Sequence, residues 1–278
     1  MEIDAFKLKK LRNYLNDEIG IYVEDNKLRN IYERKIIKLL ERFDYNDFNK
    51  FFKDLILKKN SILKQEFINV FTVNETYFFR EKHQFDTLIK YVLPTLDKIR
   101  PRNEVISILC APVSTGEELY SIAILLIEEG NLIKKRDFLL LGIDIDSNVI
   151  KKAKEGIYSA RSVHKLPPEL IKKYFVEEKG NYRIKDFLKK VVNFKVINIL
   201  DKYAMKKLGV FDVIFSRNML IYFDEKSKRE TLAIFYSILK DEGYLFLGHA
   251  ERIPSDVKLF ESLKIGESFV YKKNSNSK

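Results

Sequence analysis

The stretch Val105-Ile-Ser-Ile-Leu-Cys-Ala-Pro-Val-Ser-Thr-Gly-Glu-Glu118 decides the fold. Val105 to Ala111 is a short apolar run of the length of a buried strand. Ser114-Thr115-Gly116 turns the chain, and Glu117 opens a helical pattern that reaches Glu129. A second apolar run, Phe138 to Ile143, ends at Asp144, and Ser147 is placed to cap a helix through Lys154. Strands alternating with helices predict a mostly parallel α/β sheet. Downstream, Val191 to Ile197 and Phe211 to Phe215 read as further strands, followed by a helix over about 226–240 that ends near Gly243. Tyr244 to Leu247 and Ser268 to Tyr271 read as a final antiparallel pair added at the sheet edge.

Upstream of this region the period is helical. In Lys27 to Phe43 the apolar residues Leu28, Ile31, Tyr32, Ile36, Leu39, Leu40 and Phe43 fall at three-four spacing, while Arg34, Lys38 and Arg42 share a polar face. Phe48 to Leu57 and Ile62 to Phe71 give two more helical patterns. The expected division is an all-α N-terminal domain over 1–72, an α/β domain over 73–273 and a disordered tail over 274–278. Residues 156–194 break the rhythm and predict a small inserted antiparallel β element. It has a short helix ending near Tyr174, a hairpin turn at Gly180-Asn181, and Tyr182 to Ile184 pairing with Val191 to Phe194.

Composition excludes several classes. Hydrophobic residues make up 46% of 278, enough for a sizeable core. No apolar run reaches the ~18 residues of a membrane span, and the charged N-terminus does not read as a secretory signal. Cys110 is the only cysteine, and His83, His164 and His249 lack metal-site spacing, so no disulfide and no metal is expected. The chain is read as cytoplasmic. Its +11 charge favours an acidic partner without choosing among nucleic acid, anionic membrane and acidic protein.

Polar residues gather where strands end, which is where open α/β sheets bind ligands. The Ser114–Glu118 loop lacks G-x-G-x-x-G, and its two carboxylates would repel a pyrophosphate. They favour a cationic ligand group, such as the ammonium and sulfonium of S-adenosylmethionine, with Glu117 preferred over Glu118. Asp144, at the end of the second strand, is placed for ribose hydroxyls, while Asp146 is the better helix cap. Arg217 and Asn218 follow the fourth apolar run, and Tyr222 lies four residues beyond Asn218, on the same face of a helical turn. Asn74, Thr76 and Arg80 precede the sheet in Asn-Glu-Thr-Tyr-Phe-Phe-Arg-Glu81, and as a local sequence they are equally readable as a cap and packing segment. His249 reads as a structural, hydrogen-bonded residue.

Taken in order, Asn74 to Glu81, Ser114-Thr-Gly-Glu-Glu118 with Tyr120-Ser121, Arg217-Asn-Met-Leu-Ile-Tyr-Phe223 and Gly248-His-Ala-Glu251 resemble the CheR-type chemotaxis receptor methyltransferases over nearly the whole chain. The resemblance implies a Rossmann-like S-adenosylmethionine-dependent methyltransferase sheet. It implies methyl transfer to glutamate side chains of chemoreceptors, with S-adenosylhomocysteine as product. By resemblance, Asn74, Thr76 and Arg80 contact the cofactor's methionine end or the reacting centre. Glu117 faces its amine, Asp144 the ribose, and Asn198 and Ile199 the adenosine. Arg217 and Asn218 line the same pocket, with Tyr222 beside the methyl group, so Arg80 and Tyr222 are the catalytic candidates. The basic face carrying Arg34, Lys38 and Arg42 is implied to meet the acidic methylation helices of the receptor cytoplasmic domain, with the enzyme a monomer that neither inserts in membrane nor binds nucleic acid.

Departures from the family pattern are Pro112 and Val113 before Ser-Thr-Gly, Leu119 in place of Pro, and Ala250 in place of Ser. The turn Glu178-Lys-Gly-Asn-Tyr182 is short where some members bind a receptor tail peptide, which predicts independence from such a tether. Three other readings compete. A nucleic-acid methyltransferase would fit the charge, but Ser216-Arg-Asn-Met lacks the Pro-Pro-aromatic motif common in amino-methylating enzymes. A non-catalytic S-adenosylmethionine-binding module and a family member acting on another signalling protein both stay open on sequence alone.

Overall fold

The structure is a computed structural model that describes residues 3–130 and 136–274. The expected mostly parallel α/β sheet is formed, with seven strands. They are β1 (Ile106–Cys110), β2 (Phe138–Asp144), β6 (Val192–Val196), β7 (Phe211–Ser216), β8 (Leu239–Leu247), β9 (Phe260–Ile265) and β10 (Ser268–Lys273), in spatial order β6-β2-β1-β7-β8-β10-β9. Side chains alternate through the pleat. Ile106, Ile108 and Cys110 of β1 join the apolar cluster that contains the helix Glu117–Glu128, and Leu109 joins the opposite cluster with the helix Glu225–Ile238. β1 and β7 are buried throughout because helices cover both faces.

Five expectations need correction. The antiparallel closing pair exists, Tyr271 facing Leu245, but β10 is not the edge. A third strand, β9, pairs antiparallel with it and takes that place. The helix before β8 stops at Ile238, and the chain is extended from Leu239. In the insert, three short strands, β3 (Ile157–Ser159), β4 (Phe175–Glu178) and β5 (Asn181–Ile184), form their own sheet in the order β3-β5-β4. Residues 182–184 therefore pair with β3 and β4, whereas Val192–Val196 pairs in parallel with β2, where Phe194 enters the main core. The hairpin turn is Lys179-Gly180, both at positive φ, one residue earlier than read, as a two-residue loop of a right-twisted hairpin favours. Finally, Ser147 is not the cap but the first residue of the helix Ser147–Glu155; Asp146, read as the better cap, fills that place, accepting from Asn148 and Val149 N–H.

The N-terminal helices Ala5–Ile19, Glu33–Arg42, Phe48–Ile56 and Ser61–Phe71 pack around a core of their own that includes Leu11, Ile36, Phe51 and Phe67. Asp25 to Arg42 is one continuous helical path with a π-helical turn at Leu28–Tyr32. At the C-terminus, Asn274 is held by a hydrogen bond from its N–H to the Leu259 carbonyl (3.0 Å), rather than opening a free tail. The remaining tail residues, 275–278, lie outside the described residues. No helix among the described residues is long and apolar enough to cross a membrane.

Candidate active site

Above the C-terminal ends of β1, β2, β6 and β7 lies a partly open cavity, the place where open α/β sheets bind ligands. The loop after β1 forms one wall. Ser114 (φ 50°) and Gly116 (φ 96°) both sit in the left-handed region. At Gly116 a Cβ would stand 3.0 Å from Ala153 Cβ and 3.2 Å from the Phe194 ring, so the turn into the helix needs glycine twice over.

Every sequence-predicted cofactor or catalytic residue lines this cavity except Glu117: Asn74, Thr76, Arg80, Asp144, Asn198, Ile199, Arg217, Asn218 and Tyr222 all do. Glu117 is buried elsewhere. Its carboxylate accepts from Thr115 Oγ1 (2.6 Å), and burial raises its pKa against that hydrogen bond. The carboxylate on the cavity wall is Glu118, the less favoured of the pair. Its Oε2 accepts from Arg217 Nε at 2.5 Å, while its Oε1 is buried without a hydrogen-bond partner. A buried acceptor without a donor is costly, more so when charged. That oxygen has no exposed surface, so the wall's fit to a cationic donor rests on the two carboxylates that line it, Glu118 and Asp144.

Arg217 organises the surrounding loops. Besides Glu118 it donates to the Arg80 carbonyl (2.9 Å) and lies over the Phe85 ring (5.1 Å). Asp144 is buried, and its two oxygens accept from Ser114 N–H and Asp146 N–H, both at 2.9 Å. Burial, with repulsion from Asp146, outweighs those hydrogen bonds and raises its pKa to about 6. Asp146 uses its second oxygen to clasp Thr72 Oγ1 (2.6 Å) and Asn74 Nδ2 (2.8 Å), which fixes the Asn74 segment against β2. Arg80 donates to the Glu75 carbonyl (2.7 Å), and its guanidinium is half-buried on the cavity wall, as is Tyr222.

Some of the predicted groups have a structural occupation as well. Asn198 Nδ2 donates to the Glu18 carbonyl (2.9 Å), and its Oδ1 accepts from Leu200 N–H (3.0 Å). The amide thus ties the strand end to the N-terminal helix, while its surface lines the cavity. Ile19 and Ile21 also line it, and Tyr22 N–H donates to the Tyr222 carbonyl (2.9 Å) beside an Ile21–Phe223 bridge. No local pattern announces these two isoleucines. Arg34, Lys38 and Arg42 lie away from the cavity, exposed on Glu33–Arg42, where Arg42 pairs with Glu66 (2.7 Å). Among the described residues, no group of three or more His, Cys, Asp or Glu could hold a metal ion.

The chemotaxis protein methyltransferase 2 of Vibrio cholerae is 37% identical over 265 residues, covering 95% of this chain and 91% of that protein. A chemotaxis protein methyltransferase of Campylobacter jejuni is 38% identical over 252 residues, covering 90% of each. One from Borreliella burgdorferi is 34% identical over 280 residues, covering 99% of this chain and 96% of its own. The model of the CheR methyltransferase S-adenosylmethionine-binding domain matches residues 74–269, from Asn74 on the cavity wall to the last strand of the sheet. On that match the chain belongs to the CheR methyltransferase family.

Proposed function

We propose that this protein methylates glutamate side-chain carboxylates of chemoreceptor cytoplasmic domains, forming glutamyl methyl esters for sensory adaptation in chemotaxis, and works in the cytoplasm. The observation that carries this reading is the polarity of the cavity. Its buried part is lined by two carboxylates, Glu118 and Asp144. Its half-exposed part presents a guanidinium, Arg80, and a phenol, Tyr222. The first pair suits a cationic donor bearing hydroxyls; the second suits an anionic acceptor.

S-adenosylmethionine, when bound, supplies a methyl carbon activated by the sulfonium. The acceptor carboxylate oxygen forms the new C–O bond as the C–S bond breaks and its electron pair stays on sulfur. A surface glutamate, with pKa ~4.3, is already ionised at neutral pH, so no residue has to remove a proton. The protein's work is alignment, which can be worth ~7–11 kcal/mol in well-oriented systems. Glu118 and Asp144 fix the donor, while Arg80 and Tyr222 aim the acceptor. A tight ion pair with Arg80 would stabilise the ground state, so its engagement with the Glu75 carbonyl, which leaves only part of the guanidinium to an acceptor, favours positioning over capture. Arg34, Lys38 and Arg42 would hold the acidic receptor helices.

The test is methyl transfer from radiolabelled S-adenosylmethionine to a chemoreceptor cytoplasmic fragment, scored as base-labile methanol release. Label in that form supports carboxyl methylation; cofactor binding without label would refute the assigned substrate. Tyr222→Phe should lower kcat about tenfold, the worth of one hydrogen bond to a charged group, with cofactor affinity within about threefold of wild type. An unchanged kcat removes Tyr222 from the mechanism.

A further inference from the structure

The loop that carries Asn218, Met219 and Tyr222 into the cavity is held by a carboxylate from another loop. Glu251 follows β8 and is buried, 3% exposed. Its Oε2 accepts from Asn218 N–H (2.8 Å) and Gly248 N–H (2.7 Å), and its Oε1 accepts from Leu220 N–H (2.7 Å). Three backbone donors from two strand ends thus converge on one side chain. Asn218 is held in the left-handed region at φ 59°, a conformation that needs an outside constraint in a residue with a side chain. Gly248 makes the approach possible: a Cβ there would lie 2.9 Å from Glu251 Oε2 and 3.0 Å from Asn218 N.

We infer that Glu251 is a positioning residue for methyl transfer. It fixes the backbone of Asn218 to Leu220 and thereby places Asn218 against the cofactor and Tyr222 against the acceptor. Its own oxygens face backbone donors, and it is not among the residues lining the cavity. A carboxylate suits the task because each oxygen only accepts, so it can serve converging N–H groups from two sides. A glutamine must turn an NH2 towards at least one of those donors. The inference rests on the proposed function for its catalytic readout and on cofactor binding alone for its second.

Two variants and two readouts test it. In Glu251→Gln, S-adenosylhomocysteine affinity by calorimetry should fall about tenfold, as expected for one lost charge-assisted hydrogen bond, with the near-ultraviolet circular dichroism retained. The kcat for the receptor fragment should fall similarly, whereas in a Tyr222→Phe background the same substitution should cost less than about threefold, since it acts through Tyr222. Gly248→Ala, which crowds the same carboxylate without removing it, should reproduce both effects and serves if Glu251→Gln does not fold. Unchanged affinity and kcat with only a lowered melting temperature would overturn the inference, as would fully additive losses in the double variant. If wild-type protein binds S-adenosylhomocysteine but labels no receptor fragment, the proposed substrate has failed, and the affinity arm still decides the role of Glu251.

Discussion

Glu117 and Glu118 begin the same helix yet meet different surroundings, because successive helical residues point about 100° apart. Sequence places two carboxylates at the turn; only the helix phase says which one enters the cavity, and that phase is set by Gly116. Glu118→Gln should therefore weaken S-adenosylhomocysteine binding about tenfold or more, the worth of a hydrogen bond to a charged group. Glu117→Gln should change it less than about threefold, both by calorimetry. Asp144 gives a pH signature. With its pKa raised to about 6, the carboxylate proposed to accept ribose hydroxyls is lost as pH falls through 6, so cofactor affinity should decline below that pH. Asp144→Asn should bind more weakly at neutral pH and show a flatter profile between pH 5 and 7. The sign follows from the form required: ligand hydroxyls favour the ionised state that burial disfavours, so affinity is gained on the alkaline side. In the free protein the same shift makes ionised Asp144 a destabilising group, one whose cost is relieved towards acid pH. Arg217, Asn218 and Tyr222 are legible as site candidates because they follow an apolar run, whereas Asn74, Thr76 and Arg80, locally readable as a cap and packing segment, are singled out only by the family resemblance; all six line the cavity. Glu251 is legible only as part of its string, since its purpose lies in three backbone N–H groups that no sequence pattern marks.

Among the elements, the central strands are the readable ones. β1, β2 and β7 are covered on both faces or nearly so, and their continuous apolar runs say so. β9 was not readable for the converse reason: of Phe260–Ile265 only Phe260 is buried, and an edge strand that is mostly solvated has no apolar run. β3 has three residues, below the length at which periodicity carries information. The insert's pairing is not legible in the sequence because the run ending in Val196 has two possible partners, and the main sheet offers it a full parallel register with β2. The hairpin itself has a two-residue loop, Lys179-Gly180, with Arg183 paired back to Glu178 at 2.7 Å. A peptide of a receptor C-terminus should accordingly show no tight binding in calorimetry, and deletion of the receptor tail should leave methylation rates within about twofold. A micromolar complex, worth about 8 kcal/mol, would contradict this.

At the scale of the whole molecule, charge and connectivity matter most. The excess of 51 basic over 40 acidic residues is spread widely, and the exposed Arg34 and Lys38 are the portion proposed to meet an acidic partner. Arg34→Glu and Lys38→Glu should raise the KM for a receptor fragment about two- to fivefold each at low salt while leaving kcat unchanged, with the difference shrinking as ionic strength rises. The small-molecule cavity, for its part, is walled by residues from both ends of the chain. Ile19 ends the first N-terminal helix and Ile21 lies in the segment just after it, Tyr222 and Phe223 come from the loop beyond β7, and the Tyr22–Tyr222 hydrogen bond and Ile21–Phe223 bridge join them. A nascent chain accordingly has no finished pocket until the two segments have met, and a cofactor held there would act as a late staple on folding. At about a hundred times its dissociation constant it would add ~2.7 kcal/mol to the stability of the assembled state. Because such a staple would grip both halves, the helical and sheet regions should melt together when it is present.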